Sequence, residues 1–116
     1  MNGMSPQLQN QITQFQQTQQ QLQAVSSQKS QMDTQKRELV RTLEELKKST
    51  GDVYKSAGTL MIKVADKEAL KSEIEESIEM MDVRISSLER QENSLKDRYT
   101  ALQEAINTAM GNAQKQ

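Results

Sequence analysis

Two heptad-patterned segments of nearly equal length flank one short insert whose apolar residues alternate in steps of two. Few folds satisfy that layout. A 4-3 apolar spacing gives a helix a narrow seam that must meet another helix. Equal segments around a short connector are satisfied by an antiparallel helical hairpin, which returns both chain ends to the same place. The insert has strand periodicity and cannot simply continue either helix.

The first segment opens at Ser5-Pro6, a capping hydroxyl followed by a residue suited to the first helical position. Its seam reads Leu8, Ile12, Phe15, Gln19, Leu22, Val25, Lys29, Met32, Lys36, Leu39, Leu43 and Leu46. The two consecutive steps of three from Gln19 to Val25 predict a stammer, a local overwinding of the coiled coil. Lys47 and Lys48 suit the last turn, and Gly51 offers a left-handed stop. The second segment starts from Asp66 as cap, with Glu68 in the first turn. Its seam runs through Leu70, Ile74, Ile78, Met81, Ile85, Leu88, Glu92, Leu95, Tyr99, Leu102, Ile106 and Ala109, with Gly111 as its stop.

The expected organisation is one mainly α domain over 1–116. Helix 1 would cover about 6–50, a β-hairpin about 53–65 and helix 2 about 66–110, followed by a disordered tail at 111–116. Each helix would be roughly 65 Å long. Residue i would face residue 116 minus i, which sets Phe15 near Ala101 and Leu102, and Ile12 near Glu104 to Ile106.

In the insert, Leu60, Ile62 and Val64 alternate with Met61 and Lys63, while Val53-Tyr54-Lys55-Ser56 makes a weaker strand. Ala57-Gly58 offers the tight turn between them. A lone two-stranded hairpin is marginal in water and has open edges. Burying each Leu, Ile or Val fully contributes about 1.5–3 kcal/mol. Leaving three of them wet is comparable to the whole net stability of a domain, ~5–15 kcal/mol. The strands could fold back on their own helices. Pairing with hairpins of other chains into a sheet or barrel is the favoured remedy.

Composition removes most other functions. There is no cysteine, histidine or tryptophan. That takes away disulfides, thiol chemistry, the commonest general base and nearly all zinc sites. No catalytic residue, metal or cofactor is expected. Glu75, Glu76, Glu79 and Asp82 form a carboxylate run, read as a solvated helix face. Gly51 and Gly58 are not followed by the Gly-Lys-Ser/Thr of a phosphate loop. Arg84, Arg90, Lys96 and Arg98 are interleaved with acids, and the net charge of -1 gives no general pull toward nucleic acid or anionic lipid. No apolar run is long enough to span a membrane, and none follows a basic start, so a soluble cytoplasmic protein is expected.

No charged side chain precedes Lys29, and only Glu104 and Lys115 follow Arg98. Folding the hairpin sets these stretches side by side: a glutamine-rich, nearly uncharged surface with apolar residues in it. The simpler account makes Leu8, Ile12, Phe15, Leu102 and Ile106 ordinary seam residues. The sharper one lets the last two turns fray, so that these side chains hold non-native polypeptide without charge selectivity. Met1, Met4 and Met110 fit that account, since thioether chains adapt to varied partners. Both accounts can apply to the same residues, whereas the heptad order argues against a glutamine-rich aggregation segment.

Three stretches carry a family resemblance: Gln-Phe-Gln-Gln-Thr-Gln-Gln-Gln-Leu-Gln-Ala at 14–24, Val-Tyr-Lys-Ser-Ala-Gly-Thr-Leu-Met-Ile-Lys-Val at 53–64, and Leu-Glu-Arg-Gln-Glu at 88–92. From about residue 7 to residue 110 the chain resembles the beta class of prefoldin subunits, and its length looks archaeal. The middle motif is the most specific, and a single hairpin is the beta-class arrangement. The resemblance implies a long antiparallel two-helix coiled coil whose β-hairpin joins an intersubunit β-barrel. It implies a hexamer of two alpha and four beta subunits. Such a complex captures unfolded client proteins at its coiled-coil tips without ATP and passes them to a group II chaperonin. Carried onto this chain, client contacts fall on Met4, Leu8, Ile12, Phe15, Leu102, Ile106 and Met110. Assembly contacts fall on Val53, Tyr54, Leu60, Ile62 and Val64. The rival is a structural coiled-coil adaptor that binds one specific folded partner.

Overall fold

Ser5 starts the first helix by accepting the Leu8 amide on its side-chain oxygen at 3.0 Å, and Pro6 fills the first helical position. The computed structural model describes residues 4–114, with side chains as far as residue 111. In order, the elements are α1 (Pro6–Lys48), β1 (Tyr54–Ala57), β2 (Leu60–Lys63) and α2 (Lys67–Gln114). Asp66 caps α2 by accepting the Ala69 amide at 3.1 Å. The Lys67 ammonium donates to the Ser49 carbonyl, one of the acceptors left open where α1 ends.

Both expected glycine stops differ in the structure. Gly58 is the only described residue with positive φ, so Gly51 does not adopt a left-handed stop. There α1 closes instead through the Ser49 amide, shared between Glu45 and Leu46 carbonyls at 3.0 and 3.3 Å. Gly111 lies inside α2, which continues to Gln114. The missing Cβ only lowers helix propensity, by about 1 kcal/mol, and cannot by itself end a helix. Lys115 and Gln116, the rest of the expected tail, lie outside the described residues, as does Met1.

The strands pair antiparallel, with Tyr54 opposite Lys63 and Ala57 opposite Leu60. Gly58 and Thr59 therefore make the two-residue turn, one position later than the expected Ala57-Gly58. Gly58 has φ +61° while Thr59 does not have positive φ, which is the type II′ pattern with glycine first. The Val64 amide donates to the Val53 carbonyl at 2.8 Å and extends the ladder by one bond.

The described chain divides into two compact units. One joins the stretch up to Lys29 with the stretch from Ser87 onward, and the other comprises Ser30–Ser86. In the second unit Leu46 and Ile74 are buried, and Lys36 pairs with Asp82 across the two helices. In the first unit Leu8 and Ile106 are buried, together with two polar side chains, Thr18 and Glu92.

Thr18 corrects the seam of α1. It is only 1% exposed, whereas Gln19 is exposed. Running through Thr18, the seam steps from Ile12 by three to Phe15, by three to Thr18, by four to Leu22 and by three to Val25, so the two consecutive steps of three fall at Ile12–Thr18 and not at Gln19–Val25. A threonine can bury its methyl group, whereas glutamine would carry a whole amide into the seam.

Candidate interaction surfaces

The unit holding the start of α1 and the end of α2 brings the uncharged stretches together. Ser5, Leu8 and Gln11 border one open groove with Ala101, Glu104, Ala105 and Ala109, Glu104 being its one charged side chain. Ile12, Phe15 and Ile106 border another, rimmed by Gln16, Gln19, Gln103 and Asn107. Phe15 stacks on Tyr99 with ring centroids 4.6 Å apart, so Tyr99 is its aromatic partner, two residues short of the expected Ala101.

The seam at this end is closed. Leu8 is 7% exposed and Ile106 9%, while Ile12, Phe15 and Leu102 are half-buried. Leu8 and Ile106 thus fit the simpler account, as seam residues, while Ile12, Phe15 and Leu102 keep part of their surface open. The Ser5 cap holds the first turn of α1, and small alanines across from Leu8 let the helices approach. Met4 and Met110 stand apart from the other expected contact residues, at 48% and 47% exposure.

The hairpin is uncovered. Every residue of β1 and β2 is exposed, Leu60, Met61, Ile62 and Tyr54 included, while Val53 and Val64 are half-buried. The pleat and the register divide the side chains. Val53, Lys55, Ala57, Leu60, Ile62 and Val64 share one face, and Tyr54, Ser56, Met61 and Lys63 share the other. Four of the five residues singled out for assembly thus lie together, with Tyr54 opposite. Ile62 and Val64 border a groove with Ala69 and Leu70 at the start of α2. The two-stranded sheet has no further strand at either edge among the described residues.

A polar cluster interrupts the seam of the first unit. Glu92 is 8% exposed. It accepts the Ser26 hydroxyl at 2.6 Å and the Lys29 ammonium at 3.2 Å, both from α1, and Lys96 approaches it at 3.7 Å. Lys29 also reaches Glu89 at 3.6 Å. The Ser26 hydrogen bond, then that of Lys29, holds the Glu92 carboxyl below its ordinary range, against the opposing effect of burial. The hydrogen bond to Glu92 raises Lys29, again opposed by burial, with the charges of Glu92 and Glu89 adding to it. Heptad spacing alone places Lys29 and Glu92 on their seams. Opposite charges on facing seams were the available signal for a pair; Ser26, one residue off the heptad, carried none.

Among the described residues no group of His, Cys, Asp or Glu is arranged to hold a metal ion. No described helix is long and apolar enough to cross a membrane.

A family model described as "Prefoldin subunit" matches residues 9–113. The chain belongs to the prefoldin subunit family. Within it, the likeness is to the beta class. The crystal structure of the prefoldin beta subunit from Thermococcus strain KS-1 superposes with a TM-score of 0.83 at 35% identity, covering 94% of this chain and 96% of that one. Prefoldin subunit beta of Thermoplasma acidophilum is 43% identical over 49 residues, 42% of this chain and 40% of the relative. That of Methanocella arvoryzae is 46% identical over 59 residues, 51% of this chain and 46% of the relative. The matched stretches thus span less than half the length of these two curated relatives. The two long helices and the single antiparallel hairpin are the prefoldin beta architecture in this chain. As a prefoldin subunit, it carries its two conspicuous surfaces, the bare hairpin and the uncharged helix ends, on different units.

Proposed function

We propose that this chain is a subunit of an ATP-independent holdase chaperone. It holds non-native polypeptide at the end formed by the start of α1 and the end of α2, and the complex delivers that client to a group II chaperonin. The observation that carries the reading is this end itself: a coiled coil of a prefoldin family member, without charge before Lys29, with an open apolar groove rimmed by glutamine and with Met4 and Met110 exposed. A surface with so little charge, Glu104 alone in the groove beside Leu8, selects for exposed apolar groups more than for the charge of a client. One such end binds weakly. Several tethered in one complex raise the effective concentration and give avidity, while each contact stays weak enough to release without a nucleotide.

Assembly goes through the hairpin. Joined to an alpha-class partner and further copies of this chain, the Leu60–Ile62–Val64 face is covered inside a β-barrel, in a hexamer of two alpha and four beta subunits. A cytoplasmic setting follows from this role.

The test is suppression of aggregation of an unrelated unfolded protein by the complex, its mass measured by light scattering on a sizing column. We expect a defined hexamer on mixing with the alpha-class partner. We expect suppression to be lost when residues 1–10 and 107–116 are trimmed while that mass is kept. Intact suppression after trimming rejects the helix ends as the client site. A monomer or dimer in every mixture favours an adaptor for one folded partner.

A further inference from the structure

In the unit that holds the helix ends, the large apolar side chains fall into two groups. Leu8, Ile12, Phe15, Leu102 and Ile106 are buried or half-buried in the seam. Met4 and Met110 are the only exposed large apolar side chains among the described residues of this unit. The apolar surface that this end presents most openly to solvent is therefore thioether. Both methionines are set among uncharged residues, Met4 before the glutamine-rich start of α1 and Met110 after Asn107, Thr108 and Ala109. The chain has no cysteine, so no thiol competes for an oxidant.

We propose that Met4 and Met110 form an oxidation site, and that their conversion to sulfoxides by a hydroperoxide switches off this end's contact with non-native polypeptide. The proposal rests on the client-binding reading of this end given above. A sulfur lone pair attacks the distal peroxide oxygen, the O–O bond breaks and an S–O bond forms. Thioether becomes sulfoxide, and the departing alkoxide takes the proton left on the transferred oxygen and leaves as an alcohol, or as water where the oxidant is hydrogen peroxide. A polar S–O group then replaces apolar surface at both exposed positions. Nearly half-open side chains are accessible to the oxidant. Met32 and Met81 are half-buried on the seams of the other unit and react more slowly. Met61 and Met80 are exposed too, but they lie in that other unit, on the hairpin and on α2. The modification is reversible by methionine sulfoxide reductases, as a switch requires.

The experiment uses the full chain with Met61→Leu and Met80→Leu, treated with hydrogen peroxide, freed of it, and mixed with untreated alpha-class partner. Peptide mapping reads the sulfoxide at each methionine, light scattering reads the mass, and aggregation of an unfolded protein reads holding. With Met4 and Met110 oxidised and the mass unchanged, we expect that roughly tenfold more complex is needed for half-suppression. Reductase treatment restores the original dose. A further Met4→Leu, Met110→Leu variant is compared with itself before and after treatment, and its own dose for half-suppression does not respond to peroxide. Undiminished holding by the doubly oxidised chain overturns the switch, as does an equal loss in the leucine variant. Failure of the untreated complex to hold clients is a different result, and it overturns the client-binding reading together with the switch.

Discussion

Ser26 on α1 donates its hydroxyl to the Glu92 carboxylate on α2 across 2.6 Å, and Lys29, one turn further along α1, donates to the same carboxylate at 3.2 Å. A single acid in an apolar seam thus takes two donors from the facing helix. A slip along the seam would strand a charge away from water, which penalises other registers. Two variants separate stability from register. Glu92→Ala leaves Lys29 without its main partner and opens a gap, so the melting temperature falls. Replacing both partners, Glu92→Leu with Lys29→Leu, fills the seam with apolar volume and leaves the melting temperature unchanged or higher, because polar seam residues give specificity at a cost in stability. Thermal melts of the two variants beside the parent check this. An equal fall in both would sink the register account.

The same cluster sets a pH dependence. Glu92 lies below its ordinary value of 4.5 in the folded chain. The unfolded carboxyl therefore binds its proton more readily, and the Glu92 contribution is complete above pH 4.5 and lost as pH falls through the lower folded value. Lys29 lies above its ordinary 10.5, so its contribution is complete below pH 10.5 and lost as pH rises through the higher folded value. Stability from this cluster is thus flat through neutral pH and falls at both extremes. Melting curves of the parent and of Glu92→Gln should converge toward acid pH. A gap that stays constant down to pH 2 would contradict the linkage.

Phe15 and Tyr99 give the first unit its aromatic contact, stacked at 4.6 Å with 29° between the rings. Both rings are half-buried, so truncation removes packing as well as stacking. A double-mutant cycle over Phe15→Leu and Tyr99→Leu isolates the pair. The expected coupling is about 0.5–1.5 kcal/mol. Additive single effects would show that the rings pack independently.

Thr18 and Gln19 are adjacent in sequence and opposite in environment. Thr18→Arg forces a cation into the seam and should destabilise by roughly 2 kcal/mol or more. Gln19→Arg stays on an exposed face and should change stability by less than about 0.5 kcal/mol. Chemical denaturation of both variants decides it; the opposite ranking would restore Gln19 to the seam and move the two steps of three back to Gln19–Val25.

The pair also marks how far the sequence is legible. Seam positions that hold leucine, isoleucine or methionine are read correctly from spacing, because nothing else on those helices has the same burial gain. Where threonine and glutamine compete, spacing alone admits either, and only the packing of the facing helix decides. The hairpin was legible from its alternation and its glycine, but the turn was set one residue off. Ala57 can pair in the ladder, while the turn needs positive φ only at Gly58. Spacing set Leu8 and Ile106 on their seams but left open how far the helix ends close over them, since exposure there depends on how nearly two helices approach. Ser26 was missed for a related reason: its role depends on a partner distant in sequence.

The two faces of the hairpin allow a sharper test of assembly than a single substitution. Ile62 and Ser56 lie on neighbouring strands but on opposite faces, and both are exposed in the single chain. Neither Ile62→Asp nor Ser56→Asp should unfold the helices, because neither residue is part of a seam. If a barrel closes over the Leu60–Ile62–Val64 face, Ile62→Asp carries a carboxylate into its interior, and burying such a charge unpaired costs several kcal/mol. The mass on mixing with the alpha-class partner should then fall below that of the hexamer. Ser56→Asp points to the outside of the same barrel and should leave the mass unchanged. Light scattering of the two mixtures gives the answer. A hexamer with both variants would remove the barrel, and loss of assembly only with Ser56→Asp would turn the hairpin over, setting Tyr54 and Met61 inside.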